Sequence, residues 1–181
     1  LSGSITCKVT IDATVQSYSG SPYVQRHYDI EPAVNPATST GTITLYYTQA
    51  EFDNYNTARG IYPAIPVSGA DATGKANLRV TQYHGTGTAP GNYTGPAVLI
   101  DPVDGNIVWN SSLSRWEVTF DVTGFSGFYA HSSLGGVLPV NLVSFHGISN
   151  GPYNKIQWIT ASEQNSDYFE LERSTDGFTF H

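Results

Sequence analysis

The sequence predicts an all-β fold, a Greek-key β-sandwich over residues 1–137 followed by a smaller β segment over 138–181. Three observations predict it. Apolar and polar residues alternate at period two in short runs, and the 3.6-residue period of an amphipathic helix is nearly absent. Clusters of Gly, Pro, Asn and Ser separate the runs, from a chain that holds 18 Gly and 10 Pro. Within 181 residues, 39% are hydrophobic and 13% aromatic, which is ample material for a packed interior.

Taken in order, residues 4–11 put Ile5, Cys7, Val9 and Ile11 on one face. Cys7 is the sole cysteine, so no internal disulfide forms, and the close Cys/His spacing of a zinc site is missing. A buried core thiol is expected. Residues 23–30 form the next strand, and residues 41–48 set Ile43, Leu45 and Tyr47 on one side against Thr42, Thr44 and Tyr46 on the other. Thr48-Gln49-Ala50-Glu51 then has the spacing of a capping box, in which hydroxyl and carboxylate each satisfy a free amide at a helix start. A short helix over 49–54 follows, with Phe52 and Tyr55 toward the core. Strands are expected over 76–84, 97–100, 107–110, 115–122 and 125–131. The stretch 85–91 is rich in glycine but lacks the lysine and following helix of a phosphate cradle, so it reads as a flexible loop. Gly135-Gly136-Val137-Leu138-Pro139 has the composition of a linker, and three further strands, 142–148, 155–160 and 168–174, lie beyond it.

Charge narrows the partners. Eight Lys and Arg against 15 Asp and Glu leave a net charge of -7, which repels nucleic-acid phosphates and anionic lipid. No apolar run is long enough for a transmembrane helix, and the first residues lack a basic segment followed by an apolar one, as expected of a mature or excised segment. Few lysines and abundant Thr, Ser, Asn and Gly point to an extracellular surface. The His-Glu-x-x-His, Gly-x-Ser-x-Gly, phosphate-loop and Cys-pair signatures are all missing from the sequence, so no catalytic residue is assigned and no enzyme activity is expected.

Candidate binding residues are of two kinds. Tyr83, Tyr93 and Trp109 stand near Asn, Gln and Thr, the mixture of ring faces and hydrogen-bonding groups that a sugar requires. Trp109 and Trp116 flank the turn 110–114, where they serve either as a ligand platform or as a cross-strand packing pair. Asp101, Asp104 and Asn106 surround a tight turn and offer hard oxygen ligands of the kind calcium takes. The same residues also suit a plain hairpin turn, and no other cofactor is expected. His27 and Asp29, two apart on one strand, are expected as a buried hydrogen-bonded pair.

One stretch carries a resemblance. Leu138-Pro139-Val140-Asn141-Leu142-Val143-Ser144-Phe145, Trp158 and the continuous run from Thr160-Ala161-Ser162-Glu163 through Ser174-Thr175-Asp176-Gly177 resemble a segment of Bacteroidetes surface and secreted proteins, where it precedes a type IX secretion sorting domain. It looks like the first half of a fibronectin type III module, with Trp158 as its core tryptophan and 168–174 as its third strand. The resemblance implies a secreted or cell-surface location. About half of such a module lies within 138–181, so docking on the first domain or on another chain is expected. The function expected is a non-catalytic structural or interaction module, a spacer or adhesion element that contacts other domains of its parent protein. The alternative is a carbohydrate-binding module that tethers the parent protein to polysaccharide. A protein partner is also consistent with this reading, whereas nucleic acid and membrane insertion are not.

Overall fold

Strands with one apolar face must cover it, and in the first part of the chain they do so by forming two antiparallel sheets around a shared interior. A computed structural model describes residues 3–133, 142–160, 169, 171–175 and 179. The chain divides into two compact units, Leu1–Gly135 and Gly136–His181. The linker expected over 135–139 lies outside the described residues.

In the first unit the elements run β1 (Ile5–Ile11), β2 (Gln16–Tyr18), β3 (Ser21–Tyr23), β4 (Arg26–Pro32), β5 (Thr40–Tyr47), α1 (Gln49–Ala58), α2 (Ala72–Asn77), β6 (Leu78–His84), β7 (Ala97–Ile100), a 3-10 turn (Asp104–Asn106), β8 (Ile107–Asn110), β9 (Arg115–Thr123) and β10 (Ser126–Ser132). One sheet has the order β1-β4-β10-β6-β7 and the other β5-β9-β8, while β2 and β3 form a separate hairpin. Tyr28, Ile30, Val80, Phe128 and Ala130 of the larger sheet enter a common core with Leu45, Tyr47, Trp116, Val118 and Phe120 of the smaller one. Phe120 and Phe128 meet across the layers with centroids 6.1 Å apart. The all-β expectation holds, and the first unit is sandwich-like.

The expected helix is present and runs longer, to Ala58. Thr48 Oγ1 accepts the Glu51 N–H at 3.2 Å, and the Thr48 N–H donates to Glu51 Oε2 at 2.8 Å. Phe52 and Tyr55 are fully buried, as the spacing predicted. The last turns are tied down by Asn56, whose side chain both donates to and accepts from the backbone of Ile65. A second short helix, α2, was not anticipated. Its cap is Asp71, which accepts the Gly74 N–H at 2.9 Å, a pattern that reads in sequence as an ordinary turn.

Cys7 corrects the sequence reading: it is exposed, and so are Ile5, Val9 and Ile11. Their alternation is real, because Cys7 pairs with Ile30 and Val9 with Tyr28, and residues paired across a ladder share a face. However, β1 is the edge of a five-stranded sheet opposed by only three strands, and its main neighbour is β4. Its inner face therefore overhangs the core.

In the second unit, β11 (Leu142–Asn150) and β12 (Tyr153–Thr160) form an antiparallel hairpin. Gly151 takes φ +64 at the first position of the two-residue turn, as a tight hairpin requires. Phe169 and residues 171–174 carry no strand, contrary to the third strand expected over 168–174, whose other residues lie outside the described set. Trp158, expected as a core residue, is 37% exposed and packs on Phe169 at 5.7 Å. Among the described residues, two paired strands leave much of both faces uncovered, which fits the exposure.

Candidate ligand-binding cleft

The outer face of the larger sheet is built from residues that the alternation sends away from the core. On β10 these are Gly127, Tyr129 and His131, and beside them on β6 are Thr81 and Tyr83, since Tyr129 pairs with Thr81 and Gly127 with Tyr83. His27 of β4 pairs with Tyr129 from the other side. Tyr129 is 1% exposed yet lies outside the sandwich core, because two further segments cover it.

The first cover is the β2–β3 hairpin. Its turn residues Ser19 and Gly20 both take positive φ, the geometry of a two-residue turn matched to strand twist, and this delivers Tyr18 and Tyr23 on either side. The second is the loop 85–95. Expected as flexible, it is braced by its own polar residues. Asn92 Oδ1 accepts the N–H groups of Thr88 and Ala89 at 2.9 and 3.0 Å, and Thr94 Oγ1 accepts that of Thr86 at 3.0 Å. Such local side-chain bonds substitute for a ladder. The glycines in this region make room for rings. A side chain on Gly127 would strike the Tyr93 hydroxyl at 2.2 Å, and one on Gly91 would strike the Tyr18 ring at 2.3 Å.

The result is a cleft of about 250 Å³ whose rings are Tyr18, Tyr23, Tyr83 and Tyr129. Tyr23 and Tyr83 both stand nearly perpendicular to Tyr129, at 85° and 88°, with centroids 5.2 and 5.5 Å away. Tyr93 stacks behind Tyr83 at 5.3 Å and lies 3.3 Å, hydroxyl to hydroxyl, from Tyr129. Ser19, Ser21, Thr81 and His131 join the tyrosine hydroxyls as the hydrogen-bonding groups of the lining, and Pro22 and Pro90 complete it. Burial raises the phenol pKa of Tyr23, Tyr83 and Tyr93, and that of Tyr129 further, so these rings are neutral at ordinary pH.

His131 Nε2 is 2.7 Å from Thr81 Oγ1, and His131 Nδ1 is 2.9 Å from the Ser132 carbonyl. A carbonyl accepts only, so Nδ1 carries the proton and Nε2 accepts from the threonine hydroxyl. Burial lowers the His131 pKa, which fits a neutral ring. His27 stacks on Tyr129 at 4.6 Å, and its pKa is lowered by desolvation, which outweighs the opposing pull of Asp12. The partner expected for His27 was Asp29. The structure gives it Asp12 instead, 3.5 Å from Nε2, because residues two apart on a strand point the same way about 7 Å apart.

Of the residues read as binding candidates, Tyr83 lines the cleft and Tyr93 supports it. Trp109 lies elsewhere, on β8, tilted against Trp116 at 5.5 Å and pressed on Gly69. Trp116 is fully buried and donates its indole N–H to Gln49 Oε1 at 2.9 Å, so the tryptophans form a packing pair. Asp101 and Asn106 line a separate depression of about 180 Å³ with Asp121, but Asp104 is not in its wall. Asp101 is paired with Arg79 at 2.9 Å. Among the described residues no three His, Cys, Asp or Glu side chains are grouped to hold a metal ion. Tyr18, Tyr23, Thr81, Tyr129 and His131 were not singled out by sequence. Alternation places Tyr129 and His131 on one face, but only the ladder between β10 and β6 shows that Tyr83 shares it. Comparison with protein-family models, curated proteins and solved structures finds no match.

Proposed function

We propose that this chain is a non-catalytic interaction module of a larger secreted or cell-surface protein and that it engages its ligand through the tyrosine cleft. The observation that carries this reading is the gathering of Tyr18, Tyr23, Tyr83 and Tyr129 on the side of the sheet turned away from the core. Core packing does not call for rings there, and a hairpin and a braced loop are spent on holding them. Low charge, the polar surface composition and the resemblance of the C-terminal segment to Bacteroidetes exported proteins support the location.

Polysaccharide is the second reading, favoured by the stacked Tyr83 and Tyr93 rings and by the hydroxyls of Ser19, Ser21 and Thr81. The test is retention of the purified chain on a panel of soluble and insoluble polysaccharides, run beside a Tyr83→Ala variant and a Trp109→Ala variant. Retention lost with Tyr83→Ala and kept with Trp109→Ala makes the cleft a sugar site. The same preparation is assayed with p-nitrophenyl esters, because Thr81 and His131 are placed as a hydroxyl and its base. Turnover that disappears in His131→Gln would overturn the non-catalytic reading.

A further inference from the structure

We propose that the cleft is a cage for a quaternary ammonium group, of the kind carried by choline. The proposal rests on the cleft being the module's binding surface and names the chemistry of what enters it. A cation is attracted to the negative face of an aromatic ring, and the attraction grows when several rings surround it out of water. Tyr23 and Tyr83 stand as walls, each nearly perpendicular to Tyr129, which is the closed floor with His27 stacked on it, and Tyr18 adds a further ring at the exposed rim. A space of about 250 Å³ admits a trimethylammonium head with part of its chain.

The composition of the wall selects among cations. Among the described residues, the lining carries no carboxylate, no carboxamide, no lysine and no arginine. A primary ammonium or a guanidinium gives up strongly held water at its N–H donors and meets only neutral hydroxyls in exchange, whereas a fully alkylated ammonium brings charge and no donor to satisfy.

The surrounding field has the required sign. Asp12 acts on Tyr23, and Asp29 on Tyr129, from positions around the cleft. Of the nearby cations, Arg79 is bonded to Asp101, and Lys8 stands opposite Asp29 in the β1–β4 register. The chain as a whole carries a charge of -7, which draws cations from a distance.

The experiment titrates the full chain with choline and, separately, with 3,3-dimethylbutan-1-ol, its uncharged isostere, following the tyrosine ring signals by NMR. Choline is expected to bind roughly tenfold or more tightly than the isostere, the margin that two or three ring faces supply. Tyr83→Phe should retain that affinity, because it keeps the ring face, and Tyr83→Leu should lose roughly tenfold. Binding of free choline together with retention on phosphatidylcholine vesicles assigns a lipid headgroup, and binding of free choline alone assigns a small solute. Equal affinity for the uncharged isostere, or tyrosine signals that choline leaves unmoved, overturns the cage. If a polysaccharide then moves those signals, the interaction module stands with a different ligand. If neither choline nor any polysaccharide moves them, both readings fail together.

Discussion

At the residue scale, Cys7 separates the pattern of a strand from its burial. The sulfur is exposed on β1, and partial desolvation, with a further contribution from Asp29, raises its pKa. Stoichiometric labelling of Cys7 by a maleimide in the native protein is therefore expected, with a rate that climbs with pH into the alkaline range. Labelling that requires denaturant would restore the buried thiol. His131 of the cleft and His27, stacked on Tyr129, make a pH prediction. Burial lowers both His27 and His131 below the ordinary 6.5, so the folded state prefers neutral rings. As pH falls through 6.5 the unfolded chain takes up protons that the folded chain refuses, and stability drops until the folded values are passed. Asp29 works in the opposite sense at lower pH, because its raised carboxyl pKa favours the protonated folded state. Urea midpoints measured from pH 7.5 to 5 should decline beginning near 6.5, and less steeply in His131→Gln. A midpoint constant over that range would contradict the assignment.

At the scale of elements, α1 rests on one carboxylate more than on its propensities. Glu51 is 7% exposed, closes the capping box on Thr48, and receives Arg26 Nε at 3.0 and 3.1 Å on its two oxygens. Removing the cap hydroxyl alone, in Thr48→Ala, should cost about 1 kcal/mol. Glu51→Ala removes the carboxylate and leaves the largely covered Arg26 guanidinium unpaired, so it should cost roughly 3 kcal/mol. Chemical denaturation of the two variants measures both, and equal losses would show that the ion pair adds nothing. This helix was legible because its capping box is four consecutive residues, and most strands were legible because alternation is local. What could not be read was anything set by partners distant in sequence. The apolar face of β1 was visible, but not the width of the sheet opposite. Tyr83 was visible as a candidate, but not Tyr129 beside it, which comes from a strand more than forty residues on.

At the scale of the whole chain, the question is which part carries the stability. Among the described residues, all buried members of the sandwich core fall between Val24 and Ala130, within the first unit. Trp116, Tyr47, Tyr55, Phe52 and Phe128 are each buried to within 1% of completely there. In the second unit every described residue with an assigned burial is at least partly exposed, and Val143, Phe145, Ile148 and Ile159 are each more than half exposed. A hairpin of that kind is marginal on its own, because too little apolar surface leaves water to offset the ordering of the backbone. A chain of residues 1–135 should therefore unfold in one cooperative transition at nearly the temperature of the full chain, and keep the near-ultraviolet dichroism of its packed aromatic rings. A peptide of residues 136–181 should melt without a cooperative transition. If residues 1–135 lost cooperativity, the first unit's core would not be sufficient by itself.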